Sequence, residues 1–321
     1  MSPSGRRPPD VGALVAGARA GEARSVARLI SLVEDAGPAL REVSAALTPG
    51  DSRARVIGVT GSPGVGKSTT VAALVRRWRA RGERVGVLAV DPTSPFSGGA
   101  LLGDRLRLGD LAADDGVYVR SMAARGRLGG LAAATPQAVR VLEAAGCDVV
   151  VVETVGVGQS ELEIAALADT TVVLLAPGMG DAVQAAKSGV LEIADVLVVN
   201  KADRDGARQT VHDLRAAQSM AVRRTDWQPP ICDTIAVQEA GAGLAGLLAT
   251  LDEHASWLVA SSEGERRRIA RAAREVEEIV LAQLRRRLGD VRGSALHDLA
   301  AAVARGDLDP YRAADRLLGE L

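Results

Sequence analysis

Aromatic residues are almost missing from this chain. Three Trp, two Tyr and one Phe amount to 2% of 321 residues, too few for a base-stacking platform. Cysteine is equally scarce. Cys147 and Cys232 lie far apart and outside any C-x-x-C spacing, which suits two buried thiols in a reducing compartment. His212, His254 and His297 are scattered, with no metal-ligand spacing. Neither sign of charge dominates: 39 Lys and Arg face 40 Asp and Glu, for a net charge of -1. That balance gives no support to a chain that coats nucleic acid or a membrane. No window holds the ~18 continuous apolar residues of a membrane span. The opening Met1-Ser-Pro-Ser-Gly-Arg-Arg-Pro-Pro-Asp10 lacks the apolar stretch of a secretory signal. A cytoplasmic protein with neither nucleic acid nor membrane as partner is expected.

What is present is a phosphate cradle. Gly61, Ser62, Pro63, Gly64, Val65, Gly66, Lys67 and Ser68 read G-x-x-x-x-G-K-S, between an apolar run (Val56–Thr60) and a helix-like segment from Thr69 to Arg81. Glycines allow successive backbone N–H groups to turn inward around an anion. The following helix offers its positive N-terminal end to the same phosphates. Lys67 is placed to bridge the β- and γ-phosphates, the Ser68 hydroxyl to ligate Mg²⁺, and Thr69 to extend the cradle. The chain is expected to bind a nucleoside triphosphate.

Around this motif, apolar β-branched runs alternate with helical stretches. The runs are Val56–Thr60, Val85–Val90, Val117–Arg120, Val149–Val152, Thr171–Leu175 and Val196–Val199. Such alternation predicts an α/β fold, a P-loop NTPase whose mostly parallel sheet is covered by helices. Its ligands belong at the carboxyl ends of the strands. Residues 1–50 read as an N-terminal helical extension, disordered over the first ten, with a helix after a capping Ser25. Residues 51–250 form the nucleotide-binding domain. Residues 251–321 are helical only, and Glu265–Leu288 sets Ile269, Val276, Ile279, Val280, Leu284 and Leu288 on one side, with Gly289 as a stop. That stripe needs a partner, either the core or a second subunit. Acidic residues between the Arg266–Arg268 and Arg285–Arg287 clusters make them a solvated face. Pro310 suits the start of a last helix.

The base is read from Val196-Leu-Val-Val-Asn-Lys-Ala-Asp203, a strand running into N-K-x-D. The Asp203 carboxylate accepts from guanine N1–H and N2–H₂, whereas adenine would leave it unpaired. Asn200 is expected at the N7/O6 edge and the Lys201 stem over the ring. Val149-Val-Val-Val-Glu-Thr-Val-Gly156 stands where GTPases usually carry D-x-x-G. Glu153 is expected to hold Mg²⁺ through water, and Gly156 to approach the γ-phosphate. Val157 follows where Ras-like GTPases place a water-positioning Gln, so intrinsic hydrolysis is expected to be slow. Gln159 substitutes only if its loop moves. Asp91, at a strand end beside the P-loop strand, and Asp104 are further Mg²⁺ candidates; the alternative for Asp91 is a turn residue before Pro92.

With these residues in view, the sequence resembles the methylmalonyl-CoA mutase-associated GTPases, the MeaB (ArgK-like) family of SIMIBI-class P-loop proteins. The carriers are Gly61–Ser68, Val90–Ser94, Gly98–Arg107, Leu128-Gly-Gly130, Glu153–Glu161, Pro177–Asp181 with Gln184 and Lys187, Asn200–Asp203 and Asp309–Asp315. The resemblance implies a GTP/GDP-binding chaperone of an adenosylcobalamin-dependent acyl-CoA mutase, gating cofactor loading and protecting the mutase. It implies a homodimer joined through the C-terminal helices, which fits the orphan stripe. It also implies Mg²⁺ contacts from Ser68, Asp91, Asp104 and Glu153, and a mobile segment from Gly178 to Lys187 that couples partner binding to hydrolysis through Asp181, Gln184 and Lys187. Lys187 would supply transition-state charge in place of an arginine finger. The guanine O6 loop departs from the common Ser-Ala; it reads Thr234-Ile-Ala236, with the Ala236 N–H as donor. The competing classes are a metallocentre-insertion GTPase, disfavoured by the absence of His-rich tracts, and a transport-associated ATPase or kinase, disfavoured by Asn200–Asp203. A signal-recognition GTPase would need a Met-rich domain, and the chain has four Met.

Overall fold

A computed structural model of the chain describes residues 9–35, 37, 39–47, 54–91, 111–123, 134–154, 160–178, 190–220, 225–237, 242–291 and 295–319. Seven strands form one sheet: β1 (Arg55–Thr60), β2 (Val85–Asp91), β3 (Val117–Ala123), β4 (Val149–Thr154), β5 (Thr170–Leu175), β6 (Val196–Asn200) and β7 (Ile231–Thr234). They lie in the order β3-β2-β4-β1-β5-β6-β7, and every pairing is parallel. Six of these are the apolar runs of the sequence. β7 is an addition: a four-residue edge strand, Ile231-Cys-Asp-Thr234, mostly half-buried or exposed and therefore without an apolar run.

Every residue of β4, β5 and β6 is buried, as a sheet covered on both faces requires. One face carries α1 (Val11–Arg19), α2 (Ala23–Glu34), α3 (Leu40–Ala46), α5 (Thr135–Ala144) and α6 (Ser160–Leu167) against Val56, Val150 and Val152. The other carries α4 (Lys67–Ala80) and α9 (Leu244–Ala260) against Ile57, Val59, Val149 and Val151. α7 (Val190–Ile193) and α8 (Ala207–Met220) complete the set beside β5 and β6. The three N-terminal helices are thus part of the core, through Val11, Val15, Leu29, Ile30 and Val43. Ser25 is not the cap of α2. The helix starts at Ala23, and Ser25 lies within its first turn, its hydroxyl donating to the Glu22 carboxylate at 2.9 Å.

Three strands begin with the same device. Asp148, Asp169 and Asp195 immediately precede β4, β5 and β6. Each donates its own N–H to a carbonyl on the neighbouring strand and accepts that same residue's N–H with its carboxylate. Asp148 closes such a ring on Arg84, at 2.9 and 2.7 Å. Asp169 closes one on Val56, at 2.8 and 2.9 Å, and Asp195 on Thr171, at 2.9 and 2.8 Å. Each ring satisfies a strand-end N–H that the parallel ladder leaves over, and so pins the register of two neighbours.

Asp195 carries more than its ring. Arg267 grips it with two nitrogens, each at 2.9 Å, and also reaches Glu263 and the Asp169 carbonyl at 2.9 Å. His254, fully buried, meets the Thr170 hydroxyl at 2.8 Å through Nδ1, and its Nε2 stands 3.5 Å from Asp195. Trp227 donates to the Asp195 carbonyl and packs edge-on to His254, their centroids 4.7 Å apart.

Both cysteines are free thiols; Cys147 is buried and Cys232 half-buried. Burial pushes the Cys147 thiol up to about 12. Thiolate is the reacting form. Iodoacetamide at pH 8 is therefore expected to leave Cys147 unmodified in the folded protein and to label it fully in urea, as read by peptide mass spectrometry.

Two compact units make up the chain, Met1–Arg267 and Arg268–Leu321. α10 (Glu263–Val291) begins in the first and runs through Gly289 rather than stopping there. A single glycine costs a helix only about 1 kcal/mol, too little to end one of this length. Ile269, Val276, Ile279, Val280, Leu281 and Leu284 are exposed along it. α11 (Ala295–Arg305) and α12 (Pro310–Gly319) follow. Asp309 caps α12, accepting the Tyr311 and Arg312 N–H groups at 3.0 Å, with Pro310 at its first position. Among the described residues, no helix is long and apolar enough to cross a membrane.

Candidate functional site

β1 lies at the centre of the sheet, between β4 and β5, where the winding of the chain reverses direction. A crevice opens at the carboxyl end of such a strand, and the Gly-rich loop fills it. Two glycines there are geometric necessities. A Cβ on Gly61 would lie 2.1 Å from the Leu174 carbonyl oxygen, and φ is 137°. A Cβ on Gly66 would lie 2.3 Å from Asn200 Nδ2, and φ is 101°. Gly66 caps α4, so the N–H groups of Lys67, Ser68 and Thr69 form its open first turn.

Lys67 is buried, and its ammonium donates to the carbonyls of Gly61 at 2.7 Å and Ser62 at 3.2 Å. This holds the charge over the mouth of its own loop. The Ser68 hydroxyl donates to Glu153 Oε1 at 2.7 Å, and both side chains are buried. A hydroxyl and a carboxylate facing each other are hard oxygen donors of the kind Mg²⁺ takes. Asp91 ends β2, and β2 pairs with β4 so that Ala89 faces Glu153. Its backbone therefore reaches the same rim.

Asn200, last in β6, is the crossbrace. Its Nδ2 donates to the Val65 carbonyl at 2.8 Å, and its Oδ1 accepts from the Thr234 hydroxyl at 3.1 Å and the Ala236 N–H at 3.2 Å. One amide thus ties the P-loop, the N-K-x-D segment and the β7 loop together. Here the Ala236 N–H, expected at guanine O6, meets Asn200. Lys201 has φ 58°, and among the described residues it is the only non-glycine in the left-handed region. That conformation costs about 1–2 kcal/mol for an L-residue. Its ammonium reaches the Gly64 carbonyl at 2.6 Å, which lays the side chain across the loop. Asp203 is exposed two residues on.

These residues surround one cavity of about 460 Å³, lined by Lys67, Ser68, Glu153, Asn200, Asp203 and Ala236 among others. That is within the ~300–1,000 Å³ usual for a small-ligand site. Asp104, Gly156, Gln159, Asp181, Gln184 and Lys187 lie outside the described residues, as do Leu128-Gly-Gly130 and Val157. Sequence reasoning missed Val65 as an acceptor and Thr234 as a brace. The only trace of the second was a hydroxyl where the common loop has Ser.

Residues 26–291 match the family described as methylmalonyl Co-A mutase-associated GTPase MeaB. The chain belongs to the MeaB family. A protein of Pyrococcus abyssi, described no further than as a GTPase, is 43% identical over 305 residues, 94% of each chain. The GTPase ArgK of Escherichia coli is 38% identical over 231 residues, 70% of each. Among solved structures, one named LAO/AO transport system kinase superposes with a TM-score of 0.73 at 26% identity, covering 98% of this chain and 99% of that one. The chain is thus a MeaB-family P-loop GTPase, and GTP is its substrate.

Proposed function

We propose that this GTPase is a nucleotide-gated chaperone of an adenosylcobalamin-dependent acyl-CoA mutase of the methylmalonyl-CoA type. The family's description as mutase-associated supports the partner. The observation that carries the switch is the convergence of Asn200 on Val65 at 2.8 Å and of Ser68 on Glu153 at 2.7 Å, because base and phosphate ends then meet on one loop. Asp203 selects guanine. Lys67 bridges the terminal phosphates. Ser68 and Glu153, with Asp91 and Asp104, would hold Mg²⁺, which supplies charge neutralisation on the phosphate oxygens when bound. Gly156 senses the γ-phosphate, and the Ala236 N–H turns from Asn200 to guanine O6 on binding. Asp181, Gln184 and Lys187 couple the partner to hydrolysis, with Gln159 positioned by loop movement. Residues 1–50 serve as a helical extension packed into the motor of 51–250, and of 251–321 the part beyond Arg267 serves as the dimerisation arm. The exposed apolar residues of α10 support the homodimer.

The test is capture of a purified methylmalonyl-CoA-type mutase by the tagged chain, with GDP, with a non-hydrolysable GTP analogue and without nucleotide. Capture that differs at least tenfold between nucleotide states is expected. Equal or absent capture in all three states, with GTP hydrolysis intact, removes the chaperone function and leaves the GTPase.

A further inference from the structure

We infer that Thr60 and Thr154 are paired positioning residues that set the geometry of Glu153, an inference that rests on the Mg²⁺-GTP reading of the site. Thr154 Oγ1 donates to Thr60 Oγ1 at 2.9 Å, with relative exposures of 1% and 0%. The two residues end β4 and β1. The register between these strands runs from Arg55 opposite Val149 to Val59 opposite Glu153. The hydroxyl pair stands one step beyond the last of those partners.

Strand alternation makes the pair unusual. The residues of β1 and β4 that share its face are Val56, Gly58, Val150 and Val152. The core on that side is apolar, with Ile164 and Ala168 of the α6 segment packed against it. Valine has the shape of threonine and would serve that core without burying a polar group. A hydroxyl bond, unlike a methyl contact, is directional and fixes the spacing of the two strand ends.

The consequence falls on the opposite face. Glu153 points away from the pair, towards α4, where its carboxylate meets Ser68 at 2.7 Å. On the β1 side the register ends at Glu153, and one step beyond it the hydroxyl bond takes over; on the other side Thr154 still pairs with Val90 of β2. The first residue leaving the P-loop strand is Gly61, and Thr60 is its neighbour. The pair therefore ties the strand that starts the phosphate loop to the strand that delivers the metal-facing carboxylate. A release of either hydroxyl frees the β1 side of the β4 end to tilt about its remaining pairing with β2, and the Glu153–Ser68 separation changes with it. Thr154 itself lines the cavity next to Glu153, and the base end is built by other residues, Asn200 and Asp203.

The test compares the wild type with Thr154→Val, Thr60→Val, the double Val variant and Thr154→Ser. Binding of a fluorescent GDP is titrated with Mg²⁺ and in EDTA, and thermal unfolding is measured alongside. Each single Val variant leaves one buried hydroxyl facing a methyl group and is expected to lower Tm. The double variant removes both polar groups and is expected to recover most of that Tm. The Mg²⁺ midpoint is expected to rise about tenfold in the single and the double Val variants alike, the scale seen when groups that orient a metal ligand are removed. Affinity in EDTA stays within about twofold, and Thr154→Ser restores the midpoint. If the double variant recovers the Mg²⁺ midpoint together with Tm, the pair is only packing and the inference is overturned. An unchanged midpoint in every variant overturns it too. If GDP binding to the wild type is indifferent to Mg²⁺, the metal reading itself falls and takes this inference with it.

Discussion

Asp203→Asn is expected to exchange guanine for xanthine. The carboxylate offers two acceptors to guanine N1–H and N2–H₂. An asparagine offers one acceptor and one donor, which opposes the guanine amino group but matches the C2 carbonyl of xanthine. A bidentate base contact is worth about 1–3 kcal/mol, so GTP affinity should fall about a hundredfold while XTP affinity rises by a similar factor. Asp203 is exposed at the cavity rim, so the change does not disturb the core. Calorimetric titration with GTP, XTP and ATP reads the outcome. Equal loss for both purines, with no gain for XTP, would show that Asp203 shapes the loop rather than reads the base.

The largest loss of stability is expected from Asp195→Ala. The substitution opens the Thr171 ring and takes from Arg267 its two bonds to this carboxylate, leaving it to Glu263 and the Asp169 carbonyl. Removing one partner of a buried ion pair costs about 3–5 kcal/mol. For a domain of this size that corresponds to a drop in Tm of about 10 °C. GTP affinity measured well below Tm should be unchanged, because β6 separates Asp195 from Asn200 by about 16 Å of extended chain. The pH dependence follows from the carboxyl's depressed pKa. Burial alone would raise it, but the His254 and Arg267 contacts outweigh burial, and Arg267's two 2.9 Å bonds are the closer. A group whose folded pKa is depressed contributes fully above the unfolded value of about 3.9 and loses that contribution as the pH falls through the folded one. The stability gap between wild type and Asp195→Ala should therefore be constant near neutrality and shrink below about pH 4. Denaturant titrations at pH 7, 5, 4 and 3 check it; a gap that widens in acid contradicts the assignment.

The phosphate cradle was legible because its geometry excludes side chains. At Gly61 the Leu174 carbonyl leaves no room for a Cβ, and at Gly66 both φ and Asn200 forbid one. Six strands were legible from burial on both faces. β7 was not, since an edge strand with one half-exposed side needs no apolar run. Asn200 was legible as a motif, but its hold on Val65 was not, because any residue can lend a carbonyl. The end of α10 was misplaced at Gly289, where local propensity gave way to the long helix around it. Asp148, Asp169 and Asp195 passed unnoticed as isolated acids. Their likeness shows only when each is seen beside the strand it locks.

Those locks sit at the amino ends of the strands, whereas nucleotide chemistry occupies the far rim. A segment inserted or shortened at the rim does not shift which residues face one another in the sheet, since alignment is already settled at the other end. The connections after β4, β5 and β6, which carry the residues assigned to nucleotide and partner, can therefore rearrange without loosening the sheet beneath them.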